Sequence, residues 1–269
     1  MADNVGRALD SLLGQTLSPA RIIVVDDGST DDTPNILRRY EAQFGADSIQ
    51  VIQWPESAYD LRRLPFLWNS ALDAAAPYLT DDDYLLLGAD DDVYERGYAE
   101  FLIEQMCADE RLVLTSGNVS DWPSAPKGAA VQGGGRMHSW RFMRRVGCRY
   151  QTSYGYESQM LYKAAQLGYK LHCFNDVKVI HLRKLGAVHR FHEWGLGMAC
   201  AGYLPLFVLA RLAMSLLFYS RVIPRSAALK MTWDYFIARL SPPKNDLAFK
   251  KWSDSDPALV DWLRRSQRE

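Results

Sequence analysis

One stretch limits the possible folds of this chain more than any other: Arg21-Ile22-Ile23-Val24-Val25-Asp26-Asp27-Gly28-Ser29-Thr30-Asp31-Asp32-Thr33. Its first half is a β-branched apolar run without polar alternation, the pattern of a strand buried on both faces. Its second half turns polar, and Ser-Thr-Asp-Asp offers side-chain oxygens to cap a following helix. Open α/β sheets bind ligands beyond the carboxyl ends of their strands. Asp26 and Asp27 therefore stand where a base or ribose can donate hydrogen bonds to them. Taken alone, the segment reads equally well as an Asx-rich turn before a capped helix.

The rest of the chain repeats this alternation. Val5, Ala8, Leu9, Leu12 and Leu13 share one face of a helix over 4–13. A helix over 34–44, a strand from Ile49 to Trp54 and a helix over 66–76 follow the organising strand. Tyr84-Leu85-Leu86-Leu87 is a further buried strand, and it runs into Gly88-Ala89-Asp90-Asp91-Asp92. A helix carrying Tyr98, Phe101, Leu102 and Met106 leads to a strand from Arg111 to Ser116. Strand–helix alternation predicts an α/β fold, a mostly parallel sheet with helices on both faces. Residues 117–140, with Gly133-Gly134-Gly135, break the rhythm and read as a long loop. Tyr154-Gly155-Tyr156-Glu157 opens a helix that stops at Gly168, and Val177 to Leu182 is a last strand ending in His181-Leu182-Arg183.

In a parallel sheet the two acid clusters, Asp26-Asp27 and Asp90-Asp91-Asp92, fall on the same edge. Carboxylates gathered there suit a hard divalent cation, Mg²⁺ or Mn²⁺, which takes oxygen ligands and bridges phosphate oxygens. A lone acidic triplet is more simply a solvated turn; two clusters on one sheet favour the site. Composition narrows the partners. A net charge of −1 gives no case for nucleic acid. Four scattered cysteines without a CxxC pair read as reduced thiols of an intracellular protein, and residues 1–20 lack the apolar core of a signal peptide. His138, His172, His189 and His192 read as packing or surface histidines, since no Cys or carboxylate pair completes a zinc site around them.

Val24-Val25-Asp26-Asp27-Gly28-Ser29-Thr30-Asp31, preceded by Ser11-Leu12-Leu13-Gly14-Gln15-Thr16, resembles the opening of family 2 glycosyltransferases of the GT-A (Rossmann-like) fold. The resemblance runs from about residue 4 to 195, through Asn69, the Asp-x-Asp-like Leu87-Gly88-Ala89-Asp90-Asp91-Asp92 and Gly155-Tyr156-Glu157. It implies that Asp26, Asp27, Arg63, Asn69 and Asp90 bind the donor nucleotide. Asp27 accepts from the base, Arg63 approaches base or diphosphate, and Asp90 and Asp91 hold ribose and metal with Asp92 as alternative ligand. It further implies that His181 completes the metal site and that Glu157 is the catalytic base. An inverting transfer needs such a base within reach of the acceptor hydroxyl. From spacing alone Glu157 is equally a first-turn glutamate favoured by the helix dipole.

Two departures stand out. Glu157-Ser158 replaces the usual acid pair, and the family's first strand, expected between the strands at Arg21–Val25 and Tyr84–Leu87, has no counterpart in the sequence. The expectation is therefore a reading frame that starts upstream, or a truncated fragment.

The domain plan is a glycosyltransferase domain over 1–195, an apolar and amphipathic helical segment over 196–240, and a polar tail over 241–269. Residues 198–223 are long enough to span a bilayer, but Pro205 and Arg211 interrupt them. They read either as a helix lying in the membrane interface or as a plain core helix. The expected activity is metal-dependent, inverting transfer of a sugar from a nucleotide-diphosphate-sugar to a hydroxyl on a glycan or lipid-linked acceptor. The expected location is the cytoplasm, at the inner face of the cell membrane, with peripheral membrane contact. The alternative is a nucleotide-sugar-binding protein without transferase activity.

Overall fold

The computed structural model describes residues 2–55, 63–119, 131–183, 191–217 and 224–241. The amphipathic opening forms α1 (Ala2–Leu13), which buries Val5, Ala8 and Leu9. The β-branched run forms β1 (Ile22–Asp26), and α2 (Thr33–Phe44) follows, its Thr33 amide donating to Asp31 Oδ1 at 3.1 Å. Then come β2 (Ile49–Gln53), α3 (Arg63–Ala75), a single 3-10 turn at Ala76–Tyr78, β3 (Tyr84–Leu87) and β4 (Asp92–Tyr94). The middle of the chain supplies α4 (Tyr98–Ala108), β5 (Leu112–Val119), β6 (Arg136–Ser139), α5 (Trp140–Arg145), α6 (Tyr156–Gln166) and β7 (Lys170–His181). Helices α7 (Phe191–Cys200), α8 (Pro205–Leu217) and α9 (Arg225–Leu240) complete the described chain.

The α/β architecture is as expected, but strand polarity is mixed. β1 and β2 pair in parallel as a two-stranded sheet, while the larger sheet runs β3-β6-β5-β7-β4. Within it only β5–β7 is parallel; β3–β6, β6–β5 and β4–β7 are antiparallel. The reason lies in the connections. A parallel neighbour needs a crossover of about a dozen residues or more, and only the short acid turn separates β3 from β4. β4 therefore joins the far edge, against β7.

The stretch read as a loop over 117–140 is regular at both ends: its start belongs to β5, and its end forms β6 and the first residue of α5, while 120–130 lie outside the described residues. Arg136 and His138 hid the strand by looking solvated. Both are buried, Arg136 donating to Gln132 O at 3.1 Å and His138 Nε2 lying 2.6 Å from Tyr150 Oη. Burial beside Arg136 lowers the His138 pKa to about 3, so the ring is a neutral packing histidine. The His189 position and the His192 side chain lie outside what is described.

Helices cover both faces of the larger sheet. Alternation along β3 sends Leu85 and Leu87 to a core with α3, α5 and α6, and Tyr84 and Leu86 to a core with α4. Among the described residues, β1 and β3 each have a partner on one side only. No described residue takes the central position that the resemblance gives to a first strand. Two helices bridge the sheets there. Leu12 of α1 packs against both the β1–β2 core and the α4 core. α3 lies on β1 while its Leu72 joins the core beneath β3.

The last three helices form their own cluster around Met198, Val208, Met231 and Tyr235. That cluster is tied to α6, since Tyr162 Oη donates to Tyr203 Oη at 3.0 Å.

Candidate functional site

At the carboxyl end of β1 the two acids behave differently. Asp26 is buried and its Oδ1 accepts from Ser29 N at 3.1 Å, closing the turn that contains Gly28. Asp27 is open to solvent on one side and pairs with Arg63 Nε, while Arg63 Nη2 donates to Pro55 O at 2.9 Å. The structure thus joins Asp27 and Arg63, from two different elements, into one charged pair. Asn69 lies elsewhere. Its Nδ2 donates to Tyr150 O at 2.8 Å and its Oδ1 accepts from Tyr150 N at 2.9 Å. Both halves of that buried amide clamp α3 to the segment entering α6.

The second acid cluster is assembled by strand register. In the β4–β7 ladder Asp92 is the partner of His181, and Leu182 N donates to Asp91 O at 2.9 Å. As a result Asp91, Asp92 and His181 bring ligand atoms within 4.8 Å of one another. Asp92 is fully buried, and its Oδ2 accepts from Ala89 N at 3.0 Å. Its Oδ1 makes no well-aligned hydrogen bond, although His181 Nδ1 lies 2.7 Å away. Burial and the adjacent Asp92 carboxylate raise the Tyr94 hydroxyl well above its usual range, so Tyr94 stays protonated there. A buried carboxylate oxygen with no aligned donor, beside an imidazole and a second carboxylate, fits a divalent cation. The expected ligands Asp91, Asp92 and His181 form one group, of which Asp90 is not a member.

Asp90 is engaged by Arg183. Arg183 Nη2 contacts both Asp90 oxygens, and Arg183 Nε lies 3.2 Å from Asp91 Oδ2. Burial pushes the Asp90 carboxyl up, and the Arg183 guanidinium opposes that shift. Arg183 thus holds one carboxylate of the candidate cation site. A cation that binds Asp91 must loosen this contact, and a partly exposed ion pair is worth at most about 1 kcal/mol. Arg183→Gln is therefore expected to tighten Mn²⁺ binding by roughly twofold to fivefold without nucleotide. Isothermal titration with MnCl₂ reads this directly; unchanged or weaker binding would show that Arg183 does not compete.

Glu157 enters from the other side, in the first turn of α6, just after Gly155 in the left-handed region at φ 77°. The glycine run lies close to both this carboxylate and the cation site. A Cβ on Gly133 would lie 2.5 Å from Glu157 Oε1, and one on Gly134 would lie 3.0 Å from both Asp92 Oδ2 and His181 Cε1. A side chain at either position would press on these groups and shift them. Successive Cα atoms are about 3.8 Å apart, so Glu157 Oε1 and Asp92 Oδ2 are no more than about 12 Å apart. The arrangement brings a carboxylate base and a cation-binding acid group to one glycine-lined wall.

Sequence reasoning missed Arg183 and the glycine wall. The signals were present: a cation two residues past a candidate metal ligand, and three consecutive glycines before a strand.

The family model described as glycosyl transferase family 2 matches residues 2–166. No curated relative is matched by sequence. Among solved structures, the chain is similar to a mannosyltransferase from Pyrobaculum calidifontis in complex with GDP-Man and Mn²⁺, at 16% identity and a TM-score of 0.55, covering 99% of this chain and 84% of that one. It is also similar to GalNAc-T7 with UDP, GalNAc and Mn²⁺, at 15% identity and a TM-score of 0.58, covering 91% of this chain and 55% of that one. The likeness to both structures is one of fold, whereas the family model spans most of the domain that carries the acid clusters and Glu157, and on that match the chain belongs to glycosyl transferase family 2.

Proposed function

We propose that this glycosyltransferase moves a sugar from a nucleotide-diphosphate-sugar to a hydroxyl on a glycan or lipid-linked acceptor, with inversion and with Mg²⁺ or Mn²⁺. The observation that carries this reading is that Glu157 and the Asp91, Asp92 and His181 group both lie close to the Gly133–Gly134 backbone. Two solved structures of similar fold hold nucleotides with Mn²⁺, which supports the choice of donor and ion.

Asp27 and Arg63 stand at the end of β1, where a base or ribose binds in open α/β sheets. Asp91, Asp92 and His181 hold the cation, which when bound neutralises charge on the leaving diphosphate. Arg183, freed from Asp91, keeps a positive charge beside the same diphosphate. Glu157 accepts the proton of the acceptor hydroxyl as that oxygen attacks the anomeric carbon. A single displacement from the face opposite the diphosphate inverts the anomeric configuration.

Thermal shift with a panel of nucleotide diphosphates and sugar nucleotides, in Mn²⁺ and in EDTA, tests the donor assignment, because a ligand of the native state raises its stability by mass action. One base family should stabilise the protein in Mn²⁺ and lose most of that effect in EDTA. Slow donor hydrolysis in Mn²⁺ would then distinguish a transferase from a protein that only binds nucleotide sugars.

A further inference from the structure

Helix α8 is inside out. Its exposed positions are Leu206, Leu209, Ala210, Ala213, Met214 and Leu217, spaced three and four residues apart, and every one is apolar. Leu206 and Leu217 are 78% and 73% exposed. Its polar residues, Arg211 and Ser215, instead line a cleft with Val208, Met231 and Thr232, on the side facing α9. A helix meant for water shows the opposite pattern. α9 repeats the theme on its exposed side with Leu229, Trp233, Ile237 and Leu240, of which Trp233 is 68% and Leu240 is 81% exposed. Contiguous exposed apolar surface of this kind marks an interaction site.

Charge selects the occupant. Residues 205–241 contain Arg211, Arg221, Arg225, Lys230 and Arg239 against one acid, Asp234, in a chain whose net charge is −1. Arg225 and Lys230 are exposed beside the α9 stripe. Apolar residues flanked by bases, with an exposed tryptophan, are the makeup of a helix that lies in a lipid interface. Among the described residues no helix is long and apolar enough to cross a membrane. The 13 residues of α8 reach only about 20 Å against a hydrocarbon core of about 30 Å.

We propose that the exposed faces of α8 and α9 dock this protein in the plane of an anionic membrane surface. Apolar side chains enter the acyl boundary and the basic ones meet phosphate headgroups. The inference stands on these helices alone and does not depend on the transfer reaction.

Flotation of the full chain with vesicles tests it. The protein should float with phosphatidylcholine–phosphatidylglycerol vesicles at low salt, weakly with phosphatidylcholine alone, and less as salt rises. The double variant Leu209→Glu, Met214→Glu should lose about tenfold or more of that partitioning. Both side chains are exposed, so its melting temperature should match that of the parent. A second variant, Arg225→Gln with Lys230→Gln, should bind anionic vesicles less while leaving the apolar stripe whole. Recovery of the parent at the bottom of the gradient at low salt overturns the proposal, as does equal flotation with neutral vesicles. A dimer by light scattering that the Leu209→Glu, Met214→Glu variant dissolves, without flotation of the parent, assigns the face to a second copy instead.

Discussion

Glu157→Gln lowers turnover by about 100-fold or more while the affinity for the nucleotide-sugar donor stays nearly unchanged, the scale expected for removal of a general base. Glutamine keeps the size and hydrogen-bonding reach of the side chain, so α6 and the contact with Gly133 persist. It cannot accept the acceptor proton. The donor determinants lie on other elements, with Asp27 after β1 and Arg63 at the start of α3, which is why kcat and donor binding should separate. Single-turnover kinetics with saturating donor, alongside nucleotide titration, measure both quantities. Normal turnover would place the base elsewhere and leave Glu157 as an acid at a helix N-terminus. Because the neighbouring residue is Ser158 rather than a second acid, no adjacent carboxylate is available to mask the loss.

Legibility followed physical cause. The half-buried strands β1 and β3 and helices α1, α2, α4 and α6 were visible because their patterns come from apolar packing, which the sequence records. β6 was not, because Arg136 and His138 are buried by specific hydrogen bonds that no apolar pattern announces. β4 was invisible for a different reason. It has three residues, and its place against β7 is fixed by a register that only the assembled sheet defines. The same limit applies to the site. Residue types and strand ends pointed to Asp91 and Asp92, and the resemblance to His181 and Glu157, but the guanidinium of Arg183 beside both Asp90 and Asp91 is fixed only by the assembled fold. Asn69 shows the converse, since a polar residue picked out by resemblance is spent on a backbone clamp at Tyr150.

The cation site carries the other large effect. Asp91→Ala removes one of three grouped ligands and leaves Asp92 and His181. Substitution of residues merely supporting a metal ligand typically weakens binding 10- to 100-fold, so loss of a ligand itself should cost about 100-fold or more. The fold should survive. Asp91 lies in the turn before β4, its backbone oxygen still accepts from Leu182 N, and Arg183 keeps Asp90 as a partner. Asp92→Ala is a poorer test, because it would empty a fully buried position and leave Ala89 N without its acceptor. For the parent at about 100 times the dissociation constant, ligand binding adds about 2.7 kcal/mol. In a domain of this size that raises the melting temperature by roughly 5–10 °C. In Asp91→Ala the Mn²⁺-dependent part of the shift should vanish, while the melting temperature in EDTA stays at the parent's value. Nucleotide binding in EDTA should also persist, since Asp27 and Arg63 do not touch this group. A full Mn²⁺-dependent shift in Asp91→Ala would remove it from the cation site. Loss of nucleotide binding in EDTA as well would mean that Asp91 contacts the donor directly, with the cation held elsewhere.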